Sequence, residues 1–257
     1  MPSGEFQGRL WGARPQEWAD LCETKTEPLA RTMLEGSGVG NQTRHLDLGC
    51  GTGGLCAMAA ARGARTAGMD ASQNMIGFAQ RRYPDIEFKV GELEQPPYDD
   101  GSFDVVTAQN SVQFAEDRVT ALRRAKRLLM PGGKFCIGMW SEPERNDMTA
   151  AFDAMMELAP PPGKDSPASI STKESLLSLL TEAGFKPGEV VEVAVPFHYS
   201  SMDEAIRGVR AAGLAEIVAQ KAGEDALHGA LTKAFRAYTA QDGSVHLDNH
   251  MRCVVCT

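Results

Sequence analysis

No long uninterrupted run of apolar residues occurs in the 257-residue chain, so no membrane-spanning helix is predicted. The chain is also short of basic residues: 26 lysines and arginines face 34 aspartates and glutamates, which gives a net charge of −8. That balance disfavours a nucleic-acid partner, because contacts with phosphates require a basic surface. The first residues have neither a basic start nor an apolar stretch, so no secretory signal is predicted and we expect a cytoplasmic protein.

The six cysteines show no disulfide framework. Cys253 and Cys256 have the C-x-x-C spacing, but the chain has no second pair and no histidine at ligand spacing. On a strand these two thiols would point to opposite faces. We therefore expect no metal site.

A glycine turn between a strand and a helix is the main feature that is present. An apolar strand carries Asp47 near its end, Gly49, Gly51 and Gly53 follow, and an alanine-rich helix then begins. Glycines let the backbone turn tightly and approach a ligand closely, and a helix start offers free N–H groups. The pattern predicts a nucleotide-binding turn of an α/β domain, and the spacing through Gly54 also fits a dinucleotide-binding loop.

Two acidic residues bear on the identity of the ligand. Asp47 lies at the mouth of the predicted site, where a pyrophosphate would be repelled and an ammonium group attracted. S-adenosylmethionine has such an ammonium group and no phosphate. Asp70 ends the next predicted strand, and its carboxylate suits the hydroxyls of a ribose in either type of ligand.

Strands and helices alternate along the first half of the chain. This alternation predicts a parallel sheet with helices on both faces. Later, a strand is predicted at 189–196, helices between 202 and 240, and a closing strand near 246–255. The predicted early strands are 44–48, 65–69, 86–90, 103–108 and 133–139, and the helices are 53–62, 73–82 and 117–128.

Five blocks in a fixed order resemble the class I S-adenosylmethionine-dependent methyltransferases, in particular the small-molecule branch related to ubiquinone and menaquinone methyltransferases. The likeness is strong over about residues 40–140. It implies a Rossmann-like, doubly wound α/β fold, with a mostly parallel seven-stranded sheet, an antiparallel last strand and helical cover segments. The blocks are 46–53, 68–75, 90–94, 100–106 and 128–135.

The resemblance further implies one methyltransferase domain over residues 1–257, with a cofactor-binding core at 41–140. Residues 1–40 would form an N-terminal helical cover, in which the tryptophans either cover the pocket or only plug the edge of the domain. Residues 141–172 and 198–241 would be substrate-covering insertions, and a proline-rich connector interrupts the former.

The cofactor contacts follow from the same resemblance. Asp47 would organise the amino group of S-adenosylmethionine, Asp70 would hold the ribose hydroxyls, and Glu92 would accept a hydrogen bond from the adenine. The family usually has aspartate in place of Glu92. The alternative for Asp47 and Asp70 is that they cap a loop or a helix. The implied cofactor-binding residues are Asp47, Gly49, Cys50, Gly51, Gly53, Asp70, Ala71, Met75, Glu92, Leu93, Gln109 and Asn110.

A base is needed only if the acceptor is an acidic hydroxyl, thiol or carbon acid, because the sulfonium is already activated. The candidate bases are His198, His246 and His250, which flank the last two predicted strands, with Tyr199 as a further candidate. The residues predicted to shape the acceptor pocket are Trp11, Gln113, Phe114, Trp140 and Tyr199.

The sequence thus predicts methyl transfer from S-adenosylmethionine to a small organic metabolite, at oxygen or carbon. One alternative is a non-methylating enzyme or a binding module on the same scaffold. A second, less favoured, is an NAD-dependent oxidoreductase. The acceptor and the oligomeric state are not indicated.

Overall fold

The computed structural model of the protein describes residues 3–159 and 167–257. Its strands are β1 Arg44–Leu48, β2 Arg65–Asp70, β3 Glu87–Val90, β4 Phe103–Gln109, β5 Leu129–Trp140, β6 Pro187–Ala194, β7 Phe197–Tyr199, β8 Val245–Leu247 and β9 His250–Cys256. Seven of them form one sheet in the order β3-β2-β1-β4-β5-β9-β6. Strands β1 to β5 pair in parallel, and β9 is antiparallel to both β5 and β6. The predicted fold class is confirmed.

Helices lie on both faces of this sheet and over its carboxyl edge. In chain order they are α1 Ser3–Trp11, α2 Pro15–Leu21, α3 Glu27–Ser37, α4 Gly54–Ala61, α5 Gln73–Arg82, α6 Arg118–Leu128, α7 Thr149–Leu158, α8 Lys173–Glu182, α9 Met202–Arg210, α10 Gly213–Ala222 and α11 Glu224–Phe235. A short 3₁₀ turn, Glu23–Thr26, joins α2 to α3. None of the helices in the described stretches is long and apolar enough to cross a membrane.

Capping side chains explain where several helices begin. Ser72 accepts a hydrogen bond from the backbone N–H of Met75 at the start of α5, and Asp117 does the same for Thr120 at the start of α6. Such N-caps satisfy N–H groups that have no partner inside the helix. The carboxyl ends of β2 and β4 are therefore followed by sharply defined loops.

Each face of the sheet has its own apolar core. Leu29 and Met33 of α3 are fully buried on one face, and Leu122 of α6 is fully buried with helix α8 on the other. Burying a side chain of this size contributes about 1.5–3 kcal/mol. Cys253 belongs to the first core and Cys256 to the second, as the predicted opposite orientation of the two thiols requires.

One local prediction is wrong, and one helix was not predicted. Residues 246–255 form two strands instead of one, because Asn249 is buried and bonds to the backbone of Met148 and Val195. The first of these strands, β8, pairs with β7 in a separate two-stranded sheet. Helix α1 was not predicted, since its glycines lower helix propensity by about 1 kcal/mol each.

The segments predicted as cover pack against one another. Helix α1 contacts α10, α2 contacts α9, and α7 contacts α10 and α11. The N-terminal helices and the helices of residues 198–241 thus form one layer beside the sheet. Most of the proline-rich connector, residues 160–166, lies outside the described residues.

Candidate active site

A cavity opens at the carboxyl ends of β1, β2 and β4, where open α/β sheets bind their ligands. It encloses about 1060 Å³, part of it open to solvent. Loops that follow the parallel strands form its floor, and α1, α2 and the 3₁₀ turn form its roof. The floor residues discussed below are Asp47, Gly49, Cys50, Gly51, Asp70, Ala71, Met75, Glu92, Leu93, Gln109 and Asn110.

The glycine turn after β1 has the left-handed backbone that its sequence predicts. Gly49, Gly51 and Gly53 have φ of 76°, 54° and 88°. A Cβ at Gly49 would lie 2.3 Å from the Cβ of Ser111, and one at Gly53 would lie 2.8 Å from the ring of Phe88. Gly53 therefore faces the packing below the loop, and it does not line the cavity.

Asp70 ties the first two loops together. One carboxylate oxygen accepts a hydrogen bond from the backbone N–H of Gly51 at 3.0 Å, and the other accepts from Ser72 at 2.8 Å. Burial raises the pKa of Asp70, and these two hydrogen bonds act in the opposite direction. The side chain caps the loop and also lines the cavity, so the two interpretations of Asp70 are compatible.

Asp47 is a buried acid whose side chain accepts a hydrogen bond from one neutral group. Its Oδ1 accepts from the hydroxyl of Thr107 at 2.7 Å. Burial, together with the negative charges of Asp70 and Glu23, raises the pKa of Asp47 to about 7, and the Thr107 hydrogen bond opposes this rise. A cationic group in the cavity would favour the ionised carboxylate.

Glu23 occupies the amino end of α4. Its Oε1 accepts hydrogen bonds from the backbone N–H of Gly54 at 2.8 Å and from the hydroxyl of Thr52 at 2.6 Å, and Arg82 pairs with its other oxygen. We expected this helix end to be open to a ligand, and that expectation is wrong. A pyrophosphate, which dinucleotide-binding folds hold at this helix end, would meet a carboxylate here.

Two amide side chains at the end of β4 have oxygens that accept no hydrogen bond from the described residues. Among the described residues, the buried Gln109 Oε1 and Asn110 Oδ1 have no partner. Gln109 is fixed by donating from Nε2 to the Thr26 hydroxyl at 2.9 Å, and Asn110 has a left-handed backbone with φ of 50°. A buried acceptor without a donor costs about 1–3 kcal/mol, and a ligand that donates hydrogen bonds would remove this cost.

Aromatic rings and glycine-rich helix α1 close the cavity from above. The ring of Trp11 is edge-on to Trp18 at 5.1 Å and to Phe114 at 5.2 Å, and all three line the cavity. A Cβ at Gly8 would lie 2.4 Å from the carbonyl oxygen of Ala71. Helix α1 therefore rests directly on the loop after β2.

Comparison with known proteins agrees with this geometry. The methyltransferase domain family matches residues 46–137, which include the glycine turn and β1 to β5 up to Ile137. Over this region the chain is similar to the class I S-adenosylmethionine-dependent methyltransferases. Demethylmenaquinone methyltransferase of Chlorobaculum tepidum is 42% identical over 105 residues, which cover 40% of this chain and 42% of that protein. The chain spans less than half the length of this and two other curated relatives that it matches.

Solved structures share the fold of this chain at low identity. The YcgJ protein from Bacillus subtilis superposes with a TM-score of 0.62 at 16% identity, over 88% of this chain and 96% of that one. The [4+2]-cyclase SpnF superposes with a TM-score of 0.56 at 21% identity, over 87% of this chain and 79% of that one. The scaffold is thus also found in a protein named for a reaction other than methyl transfer.

Eleven of the twelve predicted cofactor-binding residues line the cavity described above. The exception is Gly53, which packs against Phe88 as described. The eleven that line it come from the ends of four strands, and the register of the parallel sheet brings those ends together.

Fewer of the residues that were predicted to shape the pocket for the methyl acceptor line this cavity. Trp11 and Phe114 line the cavity, but Gln113, Trp140 and Tyr199 do not. Trp140 packs edge-on to neighbouring aromatic rings in the core, and Tyr199 is buried below the ammonium group of a lysine. Gln113 is buried, but outside the cavity.

The three predicted catalytic histidines lie away from the cavity. His198 and His246 face each other across β7 and β8, with their Nδ1 atoms 2.6 Å apart in an exposed pair. His250 begins β9, and its Nδ1 is 3.3 Å from the carbonyl oxygen of Arg145. The geometry gives no support to a role for any of them as a catalytic base at this cavity.

Some residues of the site were missed from the sequence. Glu23 and Thr107 lie outside the five blocks, and only the tertiary structure brings Glu23 to the cavity and the Thr107 hydroxyl to Asp47. A signal did exist for α1, since Gly4, Gly8 and Gly12 recur every fourth residue and so share one helix face. Within the described chain, no group of three or more histidine, cysteine, aspartate or glutamate side chains could hold a metal ion.

Proposed function

We propose that the protein transfers a methyl group from S-adenosylmethionine to a small organic acceptor, at oxygen or carbon. The observation that carries this proposal is a cluster of hydrogen-bond acceptors around one cavity. The cluster consists of the Asp47 carboxylate and the unpartnered oxygens of Gln109 and Asn110. No lysine or arginine lines the cavity in the described part of the chain, so the cluster suits a cationic donor such as an ammonium group.

The individual roles follow from position along the cavity. Asp47, Gln109 and Asn110 would accept from the ammonium of the methionine moiety, and Asp70 would accept from the ribose hydroxyls. The adenine would lie at the other end, where Glu92 would accept from its amino group. The remaining contacts would come from Gly49, Cys50, Gly51, Ala71, Met75 and Leu93, which line the same wall.

The cofactor supplies an activated methyl group, so the chain mainly has to align the acceptor and exclude water. We propose that Trp11, Trp18 and Phe114 form the apolar wall next to the acceptor. No histidine or tyrosine lines the described cavity. An acceptor that is acidic enough to ionise without a protein base, such as an enol or a phenol, fits this wall best.

The helical segments 1–40, 141–172 and 198–241 would cover the acceptor in a single methyltransferase domain. Contacts of α1 with α10 and of α2 with α9 support this proposal, because they join the first and third of these segments beside the cavity. The net charge of −8 supports a small acceptor over a nucleic acid. Cytoplasmic residence stays a prediction.

Calorimetric titration with S-adenosylmethionine, S-adenosylhomocysteine and NADH tests the cofactor. We expect binding of the two sulfur compounds, no binding of NADH, and loss of binding in Asp70→Ala. Tight binding of NADH without a response to either sulfur compound would refute the proposal. Incubation with S-adenosylmethionine carrying a labelled methyl group and a panel of phenols and enols then tests transfer.

A non-methylating enzyme on the same scaffold is the second candidate, and the fold shared with a [4+2]-cyclase favours keeping it. It would bind the cofactor without consuming it. Product formation with no release of S-adenosylhomocysteine would support this candidate and exclude methyl transfer. The carboxylate of Glu23 at the start of α4 weighs against an NAD-dependent oxidoreductase.

A further inference from the structure

Four polar side chains form a row across an otherwise apolar face of the sheet. His45 and Asp47 are two residues apart on β1, so they point to the same face. The register pairs His45 with Thr66 of β2 and Asp47 with Thr107 of β4. The row lies on the face covered by α4, whose Leu55 and Ala59 belong to the apolar core there.

Hydrogen bonds connect the row without a break. The Thr66 hydroxyl is 2.8 Å from His45 Nδ1, and His45 Nε2 is 2.9 Å from the Thr107 hydroxyl. That hydroxyl is 2.7 Å from Asp47 Oδ1. His45 and Thr107 are fully buried, and Asp47 is 2% exposed.

The direction of these bonds is fixed by the carboxylate. An ionised Asp47 can only accept, so the single hydroxyl proton of Thr107 is donated to it. The Thr107 oxygen must then accept from His45 Nε2, which leaves Nδ1 to accept from Thr66. This arrangement requires a neutral imidazole, and burial lowers the pKa of His45 to about 3.

We infer that His45 and Thr107 are positioning residues that keep the Asp47 carboxylate ionised and directed into the cavity, where it receives the ammonium group of the cofactor. The inference rests on the proposed function, since it takes that ammonium group as the ligand. It assigns a role to a buried histidine two residues before the acid, outside the glycine turn.

The surroundings of Asp47 show why such support is needed. Burial raises its pKa, and the Thr107 hydrogen bond is the largest influence that lowers it. None of the groups that face it is cationic. They are Asp70 after β2, Glu23 of the 3₁₀ turn, Cys50 of the glycine turn, Cys56 of α4 and the neutral His45.

Two substitutions of Thr107 separate the effect of its hydroxyl group from the effect of its shape. Thr107→Val keeps the shape and removes the hydrogen bond, whereas Thr107→Ser, the matched control, keeps the hydroxyl and removes a methyl group. We would measure the affinity for S-adenosylmethionine by calorimetry between about pH 5.5 and pH 9, and the ionisation of the Asp47 carboxyl in the ligand-free protein by ¹³C NMR. Thermal melting verifies that each variant folds.

In the wild type, affinity should rise with pH and level off above the pKa of Asp47. Thr107→Val should move the midpoint up by about one pH unit and weaken binding about fivefold at pH 7, since the carboxylate loses a charge-assisted hydrogen bond. The deficit should shrink at high pH, where Asp47 is ionised in both proteins. Thr107→Ser should follow the wild type.

Two substitutions test His45, one that removes its hydrogen bond to Thr107 and one that restores it. His45→Leu removes the donor to Thr107, and the Asp47 midpoint should move in the same direction by a smaller amount. His45→Gln restores a donor towards Thr107 and an acceptor towards Thr66, so its midpoint should return towards that of the wild type. A structural role alone would lower the melting temperature without moving the midpoint.

The NMR titration decides the inference without a ligand. Equal Asp47 midpoints in the wild type and Thr107→Val would overturn it, even if the wild type binds S-adenosylmethionine. A wild type that does not bind S-adenosylmethionine at any pH would instead overturn the proposed function. A shifted midpoint together with weaker binding supports both.

Discussion

The contact of α1 with the loop after β2 allows a direct test of the roof of the cavity. A Cβ at Gly8 would lie 2.4 Å from the carbonyl oxygen of Ala71 and 3.0 Å from the backbone nitrogen of Ser72. Both are backbone atoms, so no rotation of a side chain can make room. Gly8→Ala must therefore move α1 away from the loop that carries Asp70.

The size of the effect follows from two opposing terms. Alanine favours the helix over glycine by about 1 kcal/mol, and overpacking of a tight contact costs about 1–3 kcal/mol. The net cost of keeping α1 in place is up to about 2 kcal/mol. If the roof encloses the cofactor, the affinity for S-adenosylmethionine falls by up to about 30-fold.

Gly229→Ala is the matched control, because it makes the same change in α11. Apart from its own stretch of helix, the added Cβ would have no atom within 4 Å. We expect that control to bind like the wild type and to melt at the same or a higher temperature. The readouts are the Kd for S-adenosylmethionine and the rate of proteolysis of the N-terminal segment with and without ligand. Unchanged affinity and unchanged proteolysis in Gly8→Ala would refute the role of α1 as a roof.

Four further predictions concern other residues of the chain. Glu23→Ala removes the carboxylate at the start of α4, and the free energy of unfolding in a denaturant titration should fall by about 1–2 kcal/mol, with Glu23→Gln recovering part of the loss. Gly53→Ala adds a Cβ at positive φ, and the same titration should show a loss of about 1–3 kcal/mol; a neutral result would contradict the contact with Phe88. Because the pKa of Asp47 is raised to about 7 from 3.8 in the folded protein, its ionisation destabilises the ligand-free protein as pH rises through this interval. The melting temperature of Asp47→Asn should therefore fall less than that of the wild type between about pH 4 and pH 7, and parallel curves would exclude a raised pKa. His198→Gln should leave the Kd for S-adenosylmethionine and the turnover within about twofold, and a tenfold loss of turnover alone would restore its predicted catalytic role.

The parallel half of the fold could be predicted because its signals are local. The strands β1 to β5 alternate with helices or loops that are long enough to return the chain to the same edge of the sheet. The glycine turn and the acids at strand ends lie within these signals. Asp47 and Asp70 were therefore located correctly at the cavity from spacing alone.

The rest of the site depends on contacts between distant segments. Glu23 reaches the start of α4 only after α2 and α3 have packed, and Thr107 meets Asp47 through the register of β1 and β4. His198 and His246 were misplaced because β7 and β8 pair with each other outside the main sheet. No local pattern indicates that separation.

The position of β9 has a consequence for how the sheet assembles. Strand β5 pairs on one side with β4 and on the other with β9, and Trp140 and Met251 meet although roughly 110 residues separate them. A fragment ending at residue 140 would contain the whole family match, yet its β5 would be an open edge with apolar side chains on both faces, such as Phe135 on one and Cys136 on the other. Open apolar edges recruit other strands. We therefore expect the segment that carries the matched motifs to aggregate by itself. Pairing of β5 with the distant antiparallel strand β9 would prevent this aggregation.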